Sequence, residues 1–169
     1  MNAVGLKRIV SMGAFGLLLT ACSSSVNLDA APDAANPNCA KAMIAMPDEL
    51  AGFKQRETTA QGTSAWGDPT AIVVKCGVSI EQPVTDVCAE VNGVDWIIKP
   101  TEDADSQGVS PEQSATGTWT ATTFGRTPAI QVTFNADQVP SSTLLSGINS
   151  AVQQIDQSQQ CLNMDDTQA

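Results

Sequence analysis

Histidine and tyrosine are absent from the 169 residues, and aromatic side chains make up only 4% of them. Without histidine the chain lacks the commonest general base at neutral pH and the commonest metal ligand. A serine or cysteine nucleophile has no imidazole to activate it, and no S-x-x-K pattern puts a lysine in its place. No C-x-x-C occurs, which argues against structural zinc. Basic residues are scarce too, eight against 18 acids, for a formal net charge of −10. That field repels nucleic acid and anionic headgroups, so neither is expected as a partner. Acidic pairs of the kind glycosidases use arise by chance among so many carboxylates, and a small sheet-on-helix domain seldom encloses a sugar cleft. The chain is therefore expected to be no enzyme, and no cofactor or metal is expected.

The N-terminus is the most informative segment. Lys7 and Arg8 form a positive start, and the apolar run from Ile9 to Leu19 is too short to span a bilayer comfortably. It leads into Leu19-Thr20-Ala21-Cys22, small residues just before a cysteine. This is the anatomy of a secretory leader, and the cysteine makes it resemble a bacterial lipobox, in which the thiol takes a diacylglycerol and cleavage falls just before it. Residues 1–21 are read as the signal peptide and Cys22 as the lipidated residue, which predicts anchoring at the outer face of the plasma membrane. An uncleaved anchor or a plain secretory signal would still place the domain outside the cytoplasm.

Five cysteines then divide into Cys22 for lipid and Cys39, Cys76, Cys88 and Cys161 for disulfides in an oxidising compartment. Four cysteines allow three pairings. The preferred one is Cys76–Cys88, closing a local loop, with Cys39–Cys161 tying the ends of the domain.

From 23 to 37 the chain is Ser, Ala, Asp, Asn and Pro with little to bury, so 22–37 is read as a lipidated cysteine and a flexible tether. A single domain is placed at 38–162 and a loose tail at 163–169. Asn38 is a candidate cap for a helix whose buried face carries Cys39, Ala42, Met43 and Met46. Ala71–Cys76 reads as a buried strand. Val91–Lys99 holds an Asn-Gly turn signal and a strand, and Thr116–Phe124 is a β-branched strand. Ala129–Asn135 alternates Ile130, Val132 and Phe134 with polar residues, as a half-buried strand does. Leu144, Leu145, Ile148, Val152 and Ile155 make one oily stripe of a final helix, capped by Ser141 or Ser142. The expected fold is α+β: an antiparallel sheet of about four strands with N- and C-terminal helices on one face, a two-layer sandwich.

Candidate chemistry gathers at Trp66-Gly67-Asp68-Pro69. An indole beside a carboxylate suits a sugar or a cationic group. The competing reading is local, a Gly-Asp-Pro turn with Trp66 packed over the sheet. Asp95-Trp96 and Trp119 repeat the theme, with Asp95 and Trp96 on opposite faces of a strand and Trp96 in the core. Trp66, Asp68, Asp95 and Arg126 are the candidate ligand edge. Glu102–Gly108 resembles the start of a calcium loop through Asp103, Asp105 and Gly108, but Ser114 stands where a bidentate Glu is needed.

Residues AWGDPTAIVVKCGV, then Cys88, VNGVDW at 91–96, PAIQVTF at 128–134 and the late helix ending at Cys161 resemble domain-of-unknown-function family 3515. The resemblance covers about residues 38–162. It implies an actinobacterial cell-envelope protein and carries no activity, cofactor or catalytic residue. A non-enzymatic module that binds or scaffolds other envelope proteins is the resulting expectation. The alternative is a binder of cell-wall glycan or peptide through Trp66 and Asp68, or a minor hydrolase.

Overall fold

The computed structural model describes residues 25–80, 86, 88–101 and 117–161. The leader, Cys22, the acidic segment 102–108 with Ser114, and the tail lie outside the described residues.

Helix α1 (Pro37–Ile44) starts two residues earlier than the sequence suggests. Proline occupies the first turn, where its missing N–H costs nothing. The cap is Asn36, whose Oδ1 accepts from Asn38 N at 3.0 Å. Cys39 and Ala42 face inward, as the 3.6-residue spacing predicts, with Met43 packed against the core and Met46 in it.

Eight strands follow in two meanders. The first is β1 (Glu49–Leu50), β2 (Phe53–Arg56), β3 (Thr63–Trp66) and β4 (Ile72–Val78); the second is β5 (Cys88–Val91), β6 (Val94–Pro100), β7 (Thr118–Thr123) and β8 (Ala129–Asn135). After β4 the chain crosses to the far edge and returns, so that β8 pairs with β4 and the sheet order is β1-β2-β3-β4-β8-β7-β6-β5. Every pairing is antiparallel. The Asn-Gly signal is the β5–β6 hairpin: Asn92 and Gly93 have φ of 52° and 77° between the Val91–Val94 pair, as a tight two-residue turn requires. Ile130, Val132 and Phe134 of β8 are all buried.

The expected four-stranded two-layer sandwich is therefore corrected to a mostly β fold: among the described residues, one eight-stranded antiparallel sheet with three short helices. Two things hid it. Strand β3 is buried at all four positions, and β2 carries Lys54 and Gln55 on its exposed middle, so neither shows a period-2 pattern. The C-terminal oily stripe also breaks at Ile148 into α2 (Ser141–Gly147) and α3 (Asn149–Val152). Ile155 is fully buried all the same, in the turn beyond α3. Leu144, Leu145, Ile148, Ala151 and Val152 join Ile72, Val74, Val94, Trp96, Ile130 and Val132 in one core.

The cysteine pairing is corrected as well. Cys39 bonds Cys76, with Cα atoms 5.6 Å apart, and Cys88 bonds Cys161 at 5.9 Å. The local Cys76–Cys88 link fails because β8, β7 and β6 stand between β4 and β5. Four strand spacings come to about 19 Å, beyond the reach of a disulfide. Cys39 instead meets Cys76, which faces α1 from β4, and Cys161 meets the edge strand.

The segment read as a free tether lies on the domain wherever it is described. Val26 bridges Thr58 in parallel, Ala34 is buried, and Asp33 N donates to Gly77 O at 3.0 Å. Gly77 interrupts the β4–β8 register with φ of 100°. A Cβ there would collide with the backbone of Asp33 and Ala34, so the bulge and the docked segment need a glycine at this position.

Candidate functional site

The four candidate edge residues fall into two separate groups. Trp66, on β3, is fully buried, and its Nε1 donates to Pro47 O at 3.0 Å. It presents no ring face to a ligand. Asp68 sits in the following turn, after Gly67 and before a cis Asp68–Pro69 bond. Its carboxylate is exposed and accepts from Arg56 Nη1 at 3.3 Å, while the same nitrogen reaches Gly67 O at 3.2 Å. A pair this wet contributes at most about 1 kcal/mol. The arrangement shapes a turn, and the indole and the carboxylate do not face a common space.

Asp95 and Arg126 do come together. Asp95 lies on β6 and Arg126 in the β7–β8 connection, and both are buried. What joins them is the strap after α3, residues 153–161, which leaves the helix in a turn through Ile155. Arg126 Nη1 donates to Ile155 O and Arg126 Nη2 to Gln157 Oε1 at 3.0 Å. Gln157 Nε2 in turn donates to Asp95 Oδ2 at 2.8 Å, and Cys161 N donates to the same oxygen at 2.9 Å. Ser158 adds N–H and O–H donors to Gly125 O, at 2.7 and 3.0 Å. A side chain on Gly125 would strike the backbone of Gln159, so the strap lies flush on the connection. Burial pulls the Arg126 guanidinium below its ordinary range, and the charges of Asp95 and Asp156 partly offset that. Asp95 and Trp96 point to opposite faces, as their adjacency requires, yet both are buried, because the strap covers the face that Asp95 occupies.

Gln157 is the residue that sequence reasoning missed. A lone glutamine in SQQ-rich polar sequence carries no periodic signal, and only the tertiary fold brings it between two charges. Trp119 is half-buried against the core, and Trp96 lies within it. Among the described residues, Arg126 Nε and Trp96 Nε1 are buried donors without a partner.

Arg126 also lines a cleft of about 590 Å³ with Val78, Ile80, Thr127, Pro128 and Ser158 among its walls. None of the described lining residues is aromatic. Its described walls thus offer small apolar contacts, hydroxyls and the charged side chains of Asp33 and Arg126. Among the described residues no three acidic or cysteine side chains gather to hold a metal, and no helix is long and apolar enough to cross a membrane.

No curated protein and no solved structure matches the chain. Residues 15–161 match a family described as "Protein of unknown function (DUF3515)", a span that takes in every described strand and helix. The chain belongs to the DUF3515 family.

Proposed function

We propose that the chain is a lipid-anchored protein of an actinobacterial cell envelope, held at the outer face of the plasma membrane through Cys22, and that it binds or scaffolds another envelope component without chemistry of its own. The two cysteine pairs carry this reading. Their Cα separations of 5.6 and 5.9 Å suit disulfides, and disulfides persist where the environment is oxidising. The leader that ends in Leu19-Thr20-Ala21-Cys22 supports the same compartment. The absent histidine supports a role without catalysis.

A second reading, binding of a cell-wall peptide or glycan, is favoured by the cleft beside Arg126. The burial of Trp66 moves that reading away from Trp66 and Asp68, and the lack of aromatic residues among the described walls favours peptide over glycan.

Cells expressing the full chain and fed an alkyne-bearing fatty acid test the anchor. Label on the wild type, with Cys22→Ser unlabelled and shed into the medium, is the expected result. An unlabelled wild type in the cytosol with reduced cysteines overturns the proposal. Capture from intact envelopes with the anchor retained then identifies the component bound.

A further inference from the structure

Attachment of the N-terminal segment to the sheet sets how far the domain can stand from its anchor. Val26 N donates to Glu57 O at 2.8 Å and Thr59 N donates to Val26 O at 3.0 Å. Leu28 N donates to Thr59 Oγ1 at 3.1 Å, and that hydroxyl donates to Asn27 Oδ1 at 3.0 Å. Further on, Ala34 is buried and Asp33 N holds Gly77 O. The chain is thus committed to the body from Val26 onward.

Only four residue steps separate Cys22 from Val26. Fully extended, they reach about 14 Å. A free tether up to Asn38 would reach about 56 Å on the same rule. A domain of this size is roughly 35 Å across, so the shorter link cannot carry it clear of the surface to which Cys22 is fixed.

We propose that the 57–61 turn, together with Asn27, is the face that rests against the lipid bilayer. This rests on the reading of Cys22 as the lipid-bearing residue. The occupant is the lipid surface, because the chain outside the described residues ends so close to this turn. Charge does not draw the face there. Residues 23–40 hold Asp29 and Asp33 and no Lys or Arg, and Glu57 adds a further exposed acid. Apposition is imposed by the short link, and an anionic membrane would not hold this face without the acyl chains.

The test uses the full lipidated chain in phosphatidylcholine vesicles that contain a nitroxide-headgroup lipid. A fluorophore is placed through an azide-bearing residue at position 61 or at position 150. Gln61 and Ser150 are both exposed. Ser150 follows Asn149 and lies one helical turn before Gln153, and both of these bond Asn92 O at the β5–β6 turn, across the sheet from β2. Quenching several-fold stronger at 61 than at 150 is expected, and a Gly/Ser spacer of about twelve residues inserted before Ser25 should remove the difference. Equal quenching at the two positions, in protein whose lipid at Cys22 is verified by mass spectrometry, overturns the inference and leaves the anchor standing. Protein that carries no lipid and fails to float with the vesicles overturns both.

Discussion

Asp95 and Arg126 are joined through a single neutral side chain: the amide oxygen of Gln157 accepts from the guanidinium and its nitrogen donates to the carboxylate. Two buried charges are thereby bridged by one residue that carries none, beside the Ile155 carbonyl on Arg126 and the Cys161 N–H on Asp95, and the strap that brings it is fixed to the sheet edge by Cys161.

Replacing that amide should be felt across the cluster. Gln157→Ala leaves Arg126 Nη2 without its partner and Asp95 Oδ2 with the Cys161 N–H alone, and the cost of such losses is about 1–3 kcal/mol. Gln157→Glu should cost more, since it sets a carboxylate beside Asp95. Urea denaturation of the oxidised protein measures both, and an unchanged midpoint for Gln157→Ala would refute the bridging role.

Arg126 itself sets no pH dependence near neutrality. Its folded pKa is lowered by burial, so the charged form opposes folding. That cost is fully present below the folded pKa and is relieved only as pH rises through it toward the unfolded value. Arginine stays protonated at ordinary pH. Arg126→Gln, which puts no titratable group in its place, should therefore shift the denaturation midpoint by the same amount at every pH from about 6 to 8. A shift that varies across that window would contradict this account.

Gly77→Ala should release the N-terminal segment. Its Cβ would enter the backbone of Asp33 and Ala34 at a φ of 100°, and incompatible backbone positions of this kind cost about 1–3 kcal/mol. Limited proteolysis within residues 26–34 should speed up in the variant while the sheet core stays protected, as hydrogen exchange would report.

Tryptophan emission checks the assignment of the indoles. Trp66 and Trp96 have no exposed surface, whereas Trp119 is partly exposed. Iodide should quench only the Trp119 fraction, and Trp119→Phe should leave a spectrum indifferent to iodide. Trp66→Phe removes the bond to Pro47 O and part of the core, at a cost of about 2–4 kcal/mol. It should not alter any binding.

Peptide mapping of the unreduced protein should recover Cys39 linked to Cys76 and Cys88 linked to Cys161. The loops closed are 37 and 73 residues long, and each link should stabilise the fold by about 4 kcal/mol on the chain-entropy account. Recovery of a Cys76–Cys88 peptide would overturn the strand order as well as the pairing.

Local patterns in the sequence were readable where a single element explains them. The inward face of α1, the Asn92–Gly93 hairpin and the alternation of Ile130, Val132 and Phe134 all reflect periods set by backbone geometry. Elements buried on both sides, or held only by neighbours, were not. Thr63–Trp66 gains four buried positions from the strands and segments around it, which no periodicity encodes. The disulfides followed the same rule, since their partners depend on which strands lie between. The candidate edge divides for a related reason: Trp66 and Asp68 are close in sequence, but one faces the core and the other the solvent. Asp95 and Arg126 meet only because a distant strap closes over them.

The two ends of the sheet differ in how they meet the outside. One border is β1, just two residues long, and the other is β5, four residues long, with its first residue cross-linked to Cys161. A long bare border invites a neighbouring copy to extend the sheet. Here both borders are too short or too encumbered for that, so molecules packed shoulder to shoulder on one surface would remain individuals and would not knit into fibres.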